Sequence, residues 1–134
     1  MPLSITPDQL AHSRTIMTDF MGDQDVRFKT FVQLVAIFAR DREALEREGD
    51  PSNDLCTLGY EAKMMSGEWK GAIVFLRDDE GLIGDGIHRG IAYLRCIANG
   101  AHPARLPQLH LGPPNSYVWP KDLKEYLIDR QRTG

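Results

Sequence analysis

The five residues Asp85-Gly86-Ile87-His88-Arg89 bring a carboxylate, a glycine, an imidazole and a guanidinium into one short stretch of chain. They stand where a short apolar segment hands over to a helical one. The first turn of a helix leaves N–H groups without partners, and the aligned peptide dipoles add about half a positive charge there. Gly84 and Gly86 permit positive φ and let a ligand come close to the backbone. His88 and Arg89 set two side-chain donors beside those amides, and an arginine grips phosphate through two parallel hydrogen bonds. Such a turn predicts anion binding, phosphate above all. Asp85 is the nearest carboxylate, of the kind that a magnesium ion carried by a nucleotide takes as an oxygen ligand. A structural reading of the same residues is also open: Asp85 caps the helix, and His88 and Arg89 pair with surface carboxylates.

The elements that must hold this turn follow from periodicity and punctuation. Thr6 and Pro7 start a helix that is expected to run to about Phe20, and Met21-Gly22-Asp23 break it. Asp25 is placed to cap a second helix, on which Phe28, Phe31, Val32, Val35, Phe38 and Ala39 form one apolar stripe. Its second half, Arg40 to Glu48, is highly charged, and Gly49 and Pro51 end it. Leu55, Leu58, Ala62 and Met65 repeat at helical spacing until Ser66-Gly67. Ala72 to Leu76 then reads as a strand, Asp78-Asp79-Glu80-Gly81 as a turn and Leu82-Ile83-Gly84 as the returning strand. A helix from His88 to Ala98 stops at Gly100, Leu106 to Leu111 is one more strand, and Pro120 opens a last helix with Leu123, Leu127 and Ile128. These elements predict an α+β protein, a small mixed β-sheet flanked by helices, with an extra N-terminal helical segment. Residues 1–134 form a single domain: helical segment 1–54, core 55–112 and C-terminal helix 113–134.

The stretch from Leu58 to Leu111 resembles the ParB/sulfiredoxin-like superfamily. The resemblance lies in a helix ending at Ala62-Lys63-Met64-Met65-Ser66-Gly67, the strand Ala72-Ile73-Val74-Phe75-Leu76 and the hairpin at Gly81-Leu82-Ile83. It continues in Asp85-Gly86-Ile87-His88-Arg89 followed by Ala92, then Gly100, Pro103 and the strand Leu106 to Leu111. It implies a sheet of the ParB/sulfiredoxin type for residues 55–112, with nucleotide phosphates held at the Gly-x-x-Arg turn and the helix start. The expected phosphate- and nucleotide-binding residues are thus Gly84, Gly86, Ile87, His88, Arg89 and Lys63, with Asp85 as metal ligand. In sulfiredoxins a catalytic cysteine stands where this chain has Ile87, so sulfinic acid reduction is not expected. ParB-type partition proteins carry Gly-Glu-Arg-Arg there, followed by a DNA-binding region for which the 23 residues after Leu111 are too few. The Asp-Gly-x-His-Arg form is closer to the family's free-serine kinases and to its small plasmid-borne members with ATPase and nuclease activity. The kinases use an upstream glutamate as base, a role that would fall on Glu61 beside His88 and Arg89 as catalytic residues. The resemblance implies ATP or another nucleotide with Mg2+, and it leaves DNA and a small alcohol open as acceptors. A non-catalytic binding or regulatory module is the other class, favoured by the absence of an ionisable group at Ile87.

Other residues carry less. Lys63 and Lys70 flank the motif, but a solvated lysine is the simpler reading of each. His102 and His110 lack metal-ligand spacing, Cys96 falls among apolar neighbours, and Cys56 has no histidine nearby in sequence. Tyr117 and Trp119 are expected to seal a sheet edge rather than to stack on a base. Residues 26–48 remain as a surface for a protein partner. With 42% apolar and 26% charged residues the chain has the balance of a globular domain, not of a disordered tail. No apolar run approaches a membrane span, the first eight residues lack a signal-peptide pattern, and Cys56 and Cys96, which make no disulfide framework, read as reduced thiols of a cytoplasmic protein. The net charge of -3 argues against a nucleic-acid coat. That total hides a split: residues 1–85 carry 9 Lys and Arg against 16 Asp and Glu, while residues 86–134 carry 7 against 3. The basic excess begins at the turn.

Overall fold

Thr6 caps the first helix, α1 (Pro7–Ala11), with its hydroxyl accepting from Gln9 N at 3.1 Å and Gln9 Oε1 accepting from Thr6 N at 2.8 Å. The computed structural model describes residues 3–16, 20–21, 24–25, 28–40 and 57–117. Helix α1 stops well short of Phe20, because His12 and Ser13 donate their side-chain hydrogen bonds to the carbonyls of Asp8 and Gln9 and close it. Arg14 to Ile16 then runs extended: Thr15 N donates to Lys29 O, Ile83 N to Arg14 O and Ile16 N to Ile83 O. The β-branched Thr15 is fully buried in that slot.

Asp25 is not a helix cap. Phe20–Met21 (β2) and Gln24–Asp25 (β3) pair antiparallel as a two-stranded ribbon. The next helix, α2 (Phe31–Arg40), is capped by Thr30, whose hydroxyl accepts from Gln33 N at 3.3 Å while Gln33 Oε1 accepts from Thr30 N at 2.9 Å. Starting later turns the helix: Phe31, Leu34 and Ile37 are buried, whereas Val32 and Ala39 of the expected stripe face solvent. Phe28 is buried ahead of the helix, at a φ of 54°. The charged run after Arg40, the stops at Gly49 and Pro51, Leu55, Cys56, Trp119 and the helix after Pro120 lie outside the described residues.

The helix α3 (Thr57–Ser66) forms where apolar spacing predicts one, although its buried positions are Thr57 and Met64, and Met65 is exposed. Strands β4 (Ile73–Arg77) and β5 (Ile83–Asp85) make the expected hairpin. Asp78 ties its turn, with Oδ1 accepting from Glu80 N and Leu82 N at 2.9 Å each. The helix α4 (Ile87–Ala98) follows, then a 3-10 turn at Pro103–Arg105 and the strand β6 (Leu109–Leu111). Leu3–Ser4 (β1) is a strand that no sequence signal announced; it pairs antiparallel with β6, Leu3 opposite Leu111. Strands β6 and β4 are parallel, so the four-stranded mixed sheet has the order β1-β6-β4-β5. The architecture is α+β, with helices α2, α3 and α4 sharing one core with Ile73, Phe75, Ile83 and Leu109 of the sheet. No helix among the described residues is long and apolar enough to cross a membrane.

Candidate anion-binding turn

Strand β5 ends on Asp85, and Gly86 takes the N-cap position of α4 at φ 93° and ψ 10°. That left-handed geometry costs an L-residue about 1–2 kcal/mol and costs glycine nothing comparable. Space adds a second demand. A Cβ on Gly86 would lie 2.8 Å from Phe75 Cδ1, and one on Gly90 would run into the Phe31 ring. Phe31 and Phe75 meet edge to face at 6.0 Å directly under this end of α4. The two glycines four apart let the helix start rest on that aromatic pair.

The side chains of the turn converge. Arg89 Nη2 lies 3.3 Å from Asp85 Oδ1 and about as close, 3.6 Å, to where a Gly86 Cβ would sit. The guanidinium is therefore folded back over the glycine, and its side chain is 28% exposed against 53% for Asp85. Gly90 N donates to Gly86 O at 2.8 Å, the bond with which α4 begins, so the N–H groups ahead of it have no partner within the helix. His88 is half-buried, with Nδ1 3.3 Å from the hydroxyl of Thr57. Asp85, Gly86, Ile87, His88 and Arg89 thus occupy one place.

Three expected residues do not join them. Gly84 has an ordinary φ, and the Tyr117 ring fills the space beside it, so the backbone approach that a glycine offers is taken there. Glu61 is committed elsewhere: Oε2 accepts from Arg95 Nε at 3.1 Å and Oε1 from Asn99 Nδ2 at 2.8 Å. Arg95 stands seven residues beyond His88, roughly 10 Å along the axis of α4. Lys63 lies six residues beyond Thr57, about 9 Å along α3. The catalytic base expected at Glu61 is a structural anchor in this geometry, because one oxygen pairs with the Arg95 guanidinium and the other holds the Asn99 amide. Among the described residues Asp85 is the carboxylate paired at the turn, with Arg89. Among the described residues no group of three or more His, Cys, Asp or Glu is placed to hold a metal ion.

Contacts between α3 and α4 run start to start and later to later: Thr57 with His88, then Glu61 with Arg95, Cys96 and Asn99. The two helices therefore run in the same general direction, with Thr57 beside the start of α4. Sequence reasoning missed Thr57, Phe75 and Gly90 as parts of the turn. The glycine pair at 86 and 90 was the available signal; Thr57, 31 residues from His88, left none.

The remaining candidates have plain roles. His102 Nδ1 accepts from Ala104 N at 3.0 Å and caps the 3-10 turn. Cys96 is fully buried, and burial, reinforced by the Glu61 carboxylate, pushes its thiol from 9.0 to about 11. Burial also raises Tyr93. Tyr117 N donates to Arg77 O at 2.9 Å, so Tyr117 closes over the hairpin. His110 lies half-buried on β6, and Lys70 is exposed. No family model, no curated protein and no solved structure matches the chain.

Proposed function

We propose that the protein is a ParB/sulfiredoxin-like nucleotide-binding domain that seats the phosphates of ATP or another nucleotide at residues 85–89 and cleaves or transfers phosphate there. One observation carries the reading: the Arg89 guanidinium is folded over a left-handed glycine at a helix start, beside an Asp85 that is half in water. Phosphates on the first-turn amides would take over Arg89 from Asp85, and His88 would add a second side-chain donor. Phosphoryl transfer asks mostly for positioning and charge stabilisation, which these groups supply. Magnesium arriving with the nucleotide would neutralise phosphate charge, with Asp85 as its oxygen ligand. The order α3, β4, β5, turn, α4, β6 follows the pattern on which the family resemblance rests, and it supports that assignment. The reading includes a cytoplasmic protein and leaves water, a small alcohol or a DNA strand as acceptor.

The second reading, a non-catalytic module, draws on the commitment of both Glu61 oxygens and on the apolar Ile87. In it, residues 26–48 meet a protein partner, and the exposed Val32 on α2 supports such a contact. Titration with ATP and CTP in the presence of magnesium, with phosphate release followed in parallel, separates the two. Arg89→Ala is expected to weaken nucleotide binding by one to two orders of magnitude, since a charged hydrogen-bonded pair is worth about 1.5–3 kcal/mol. Gly86→Val is expected to do at least as much. Release that disappears in Arg89→Ala favours the enzyme, and binding without release favours the module. A wild type that binds neither nucleotide overturns the nucleotide half of both. Plasmid cleavage left unchanged by His88→Ala and Arg89→Ala removes the nuclease form.

A further inference from the structure

A cavity of about 410 Å³ opens where the first strand, the 3-10 turn and helix α4 meet. Ile5 lines it from the strand side, Leu106 and Leu109 from the segment after the turn, and Tyr93 from α4. The backbone around it is already paired: Ile5 N donates to Leu109 O at 3.0 Å, Ile73 N to Gln108 O at 2.8 Å, and Leu106 N to Pro103 O at 3.1 Å. Ser4 and Gln108, also on the lining, are exposed. Tyr93 differs from both. It is only 2% exposed, and among the described residues its hydroxyl has no hydrogen-bond partner. A buried tyrosine hydroxyl ordinarily has one. Burial, and after it the neighbouring Cys96, raises this phenol, so near neutral pH it keeps its proton and can donate. Among the described residues no charged side chain lines the cavity, and none of residues 85–89 does. We propose that the cavity is a small-molecule site separate from the turn, for a neutral ligand whose apolar body fills it and whose carbonyl-type oxygen accepts from Tyr93. Its volume lies in the range of ligand sites, which begins at about 300 Å³. An anion would lose water there and meet no cation, and a ligand without an acceptor would leave the hydroxyl unpaired. The proposal stands without the phosphate reading.

Three probes of nearly one size test each part of this: benzamide is neutral and has a carbonyl, benzoate is charged, and ethylbenzene has no acceptor. The full-length chain is titrated with each while the methyl signals of Ile5, Leu106 and Leu109 are followed by NMR. Benzamide is expected to shift those methyls and to bind in roughly the millimolar range. Benzoate should bind at least about tenfold more weakly, and ethylbenzene about three- to tenfold more weakly. Tyr93→Phe deletes the hydroxyl and keeps the ring. It should bring benzamide down to the affinity of ethylbenzene and leave ethylbenzene within about twofold of wild type, which also shows that the cavity is intact. If no probe shifts the three methyls, the cavity holds water only and the proposal is overturned. Benzoate bound as tightly as benzamide overturns it too, as does a Tyr93→Phe chain that keeps the wild-type affinity for benzamide.

Discussion

Helices α3 and α4 run in the same direction, and their two ends are built on opposite terms. At the later end Glu61 holds Arg95 and Asn99, with the Glu61 and Arg95 side chains 13% and 14% exposed, and Cys96 Sγ donates to Glu61 O at 3.8 Å. Glu61 and Arg95 neutralise each other inside the protein. At the starting end, among the described residues, Arg89 pairs with the half-exposed carboxylate of Asp85 beside the first-turn amides of α4. The lesson is one of division: the same pair of helices is locked by a largely buried ion pair at one end and carries a solvent-facing one at the other. An anion site needs donors held rigidly by such a scaffold.

The strongest challenge to that division is Glu61→Ala. It strands a largely buried guanidinium, and we expect a loss of about 3 kcal/mol in denaturant unfolding. A loss below about 1 kcal/mol would mean that the locked end is not locked. A smaller effect comes from pH. The folded state holds the Cys96 proton more tightly than the unfolded chain does, with the thiol raised from 9.0 to about 11. Its contribution is therefore complete below pH 9, and it is lost as pH rises toward 11, on the order of 1–3 kcal/mol. Unfolding measured across that window should show the stability gap between wild type and Cys96→Ala narrowing; a constant gap would place the thiol in contact with water. The smallest effect is at the starting end. Asp85→Asn removes an exposed ion pair and should change stability by no more than about 0.5 kcal/mol. Calorimetric titration sharpens the comparison: without magnesium the variant should bind pyrophosphate more tightly, because Arg89 is released. Weaker binding would show that Asp85 orders the arginine instead of competing for it.

Several local signals in the sequence decide a conformation on their own. Gly86, the Asp78–Gly81 turn and the apolar strand at Ile73 each have their chemistry in immediate neighbours. The helix start at Thr6 belongs with them. What escaped was decided by distant partners. The extended path of Arg14–Ile16 exists because Lys29 and Ile83 offer backbone groups on both sides, and nothing within five residues of Thr15 says so. The rotation of α2 depends on a cap at Thr30 that competes with Asp25, and periodicity alone does not choose between two caps. At the turn, residues 85–89 were legible as one segment, whereas Gly84 and Glu61 were assigned by position. A tyrosine ring from residue 117 and an arginine from the far half of α4 decided their roles.

The strand order has a consequence for how the chain is made. β6 leaves the ribosome after β1, β4 and β5, and it must enter between β1 and β4. Until Leu109–Leu111 emerges, one edge of β4 is bare and Leu3 waits for a partner more than a hundred residues away. An uncovered edge bearing Ile73 and Phe75 invites pairing with a second nascent chain. The helix start at Gly86 leans on that same Phe75. Synthesis therefore completes the sheet in a single late event, and a chain stopped at Gly100 would own the Asp-Gly-Ile-His-Arg segment and the Phe31–Phe75 pair beneath it without the strand that covers the edge of β4.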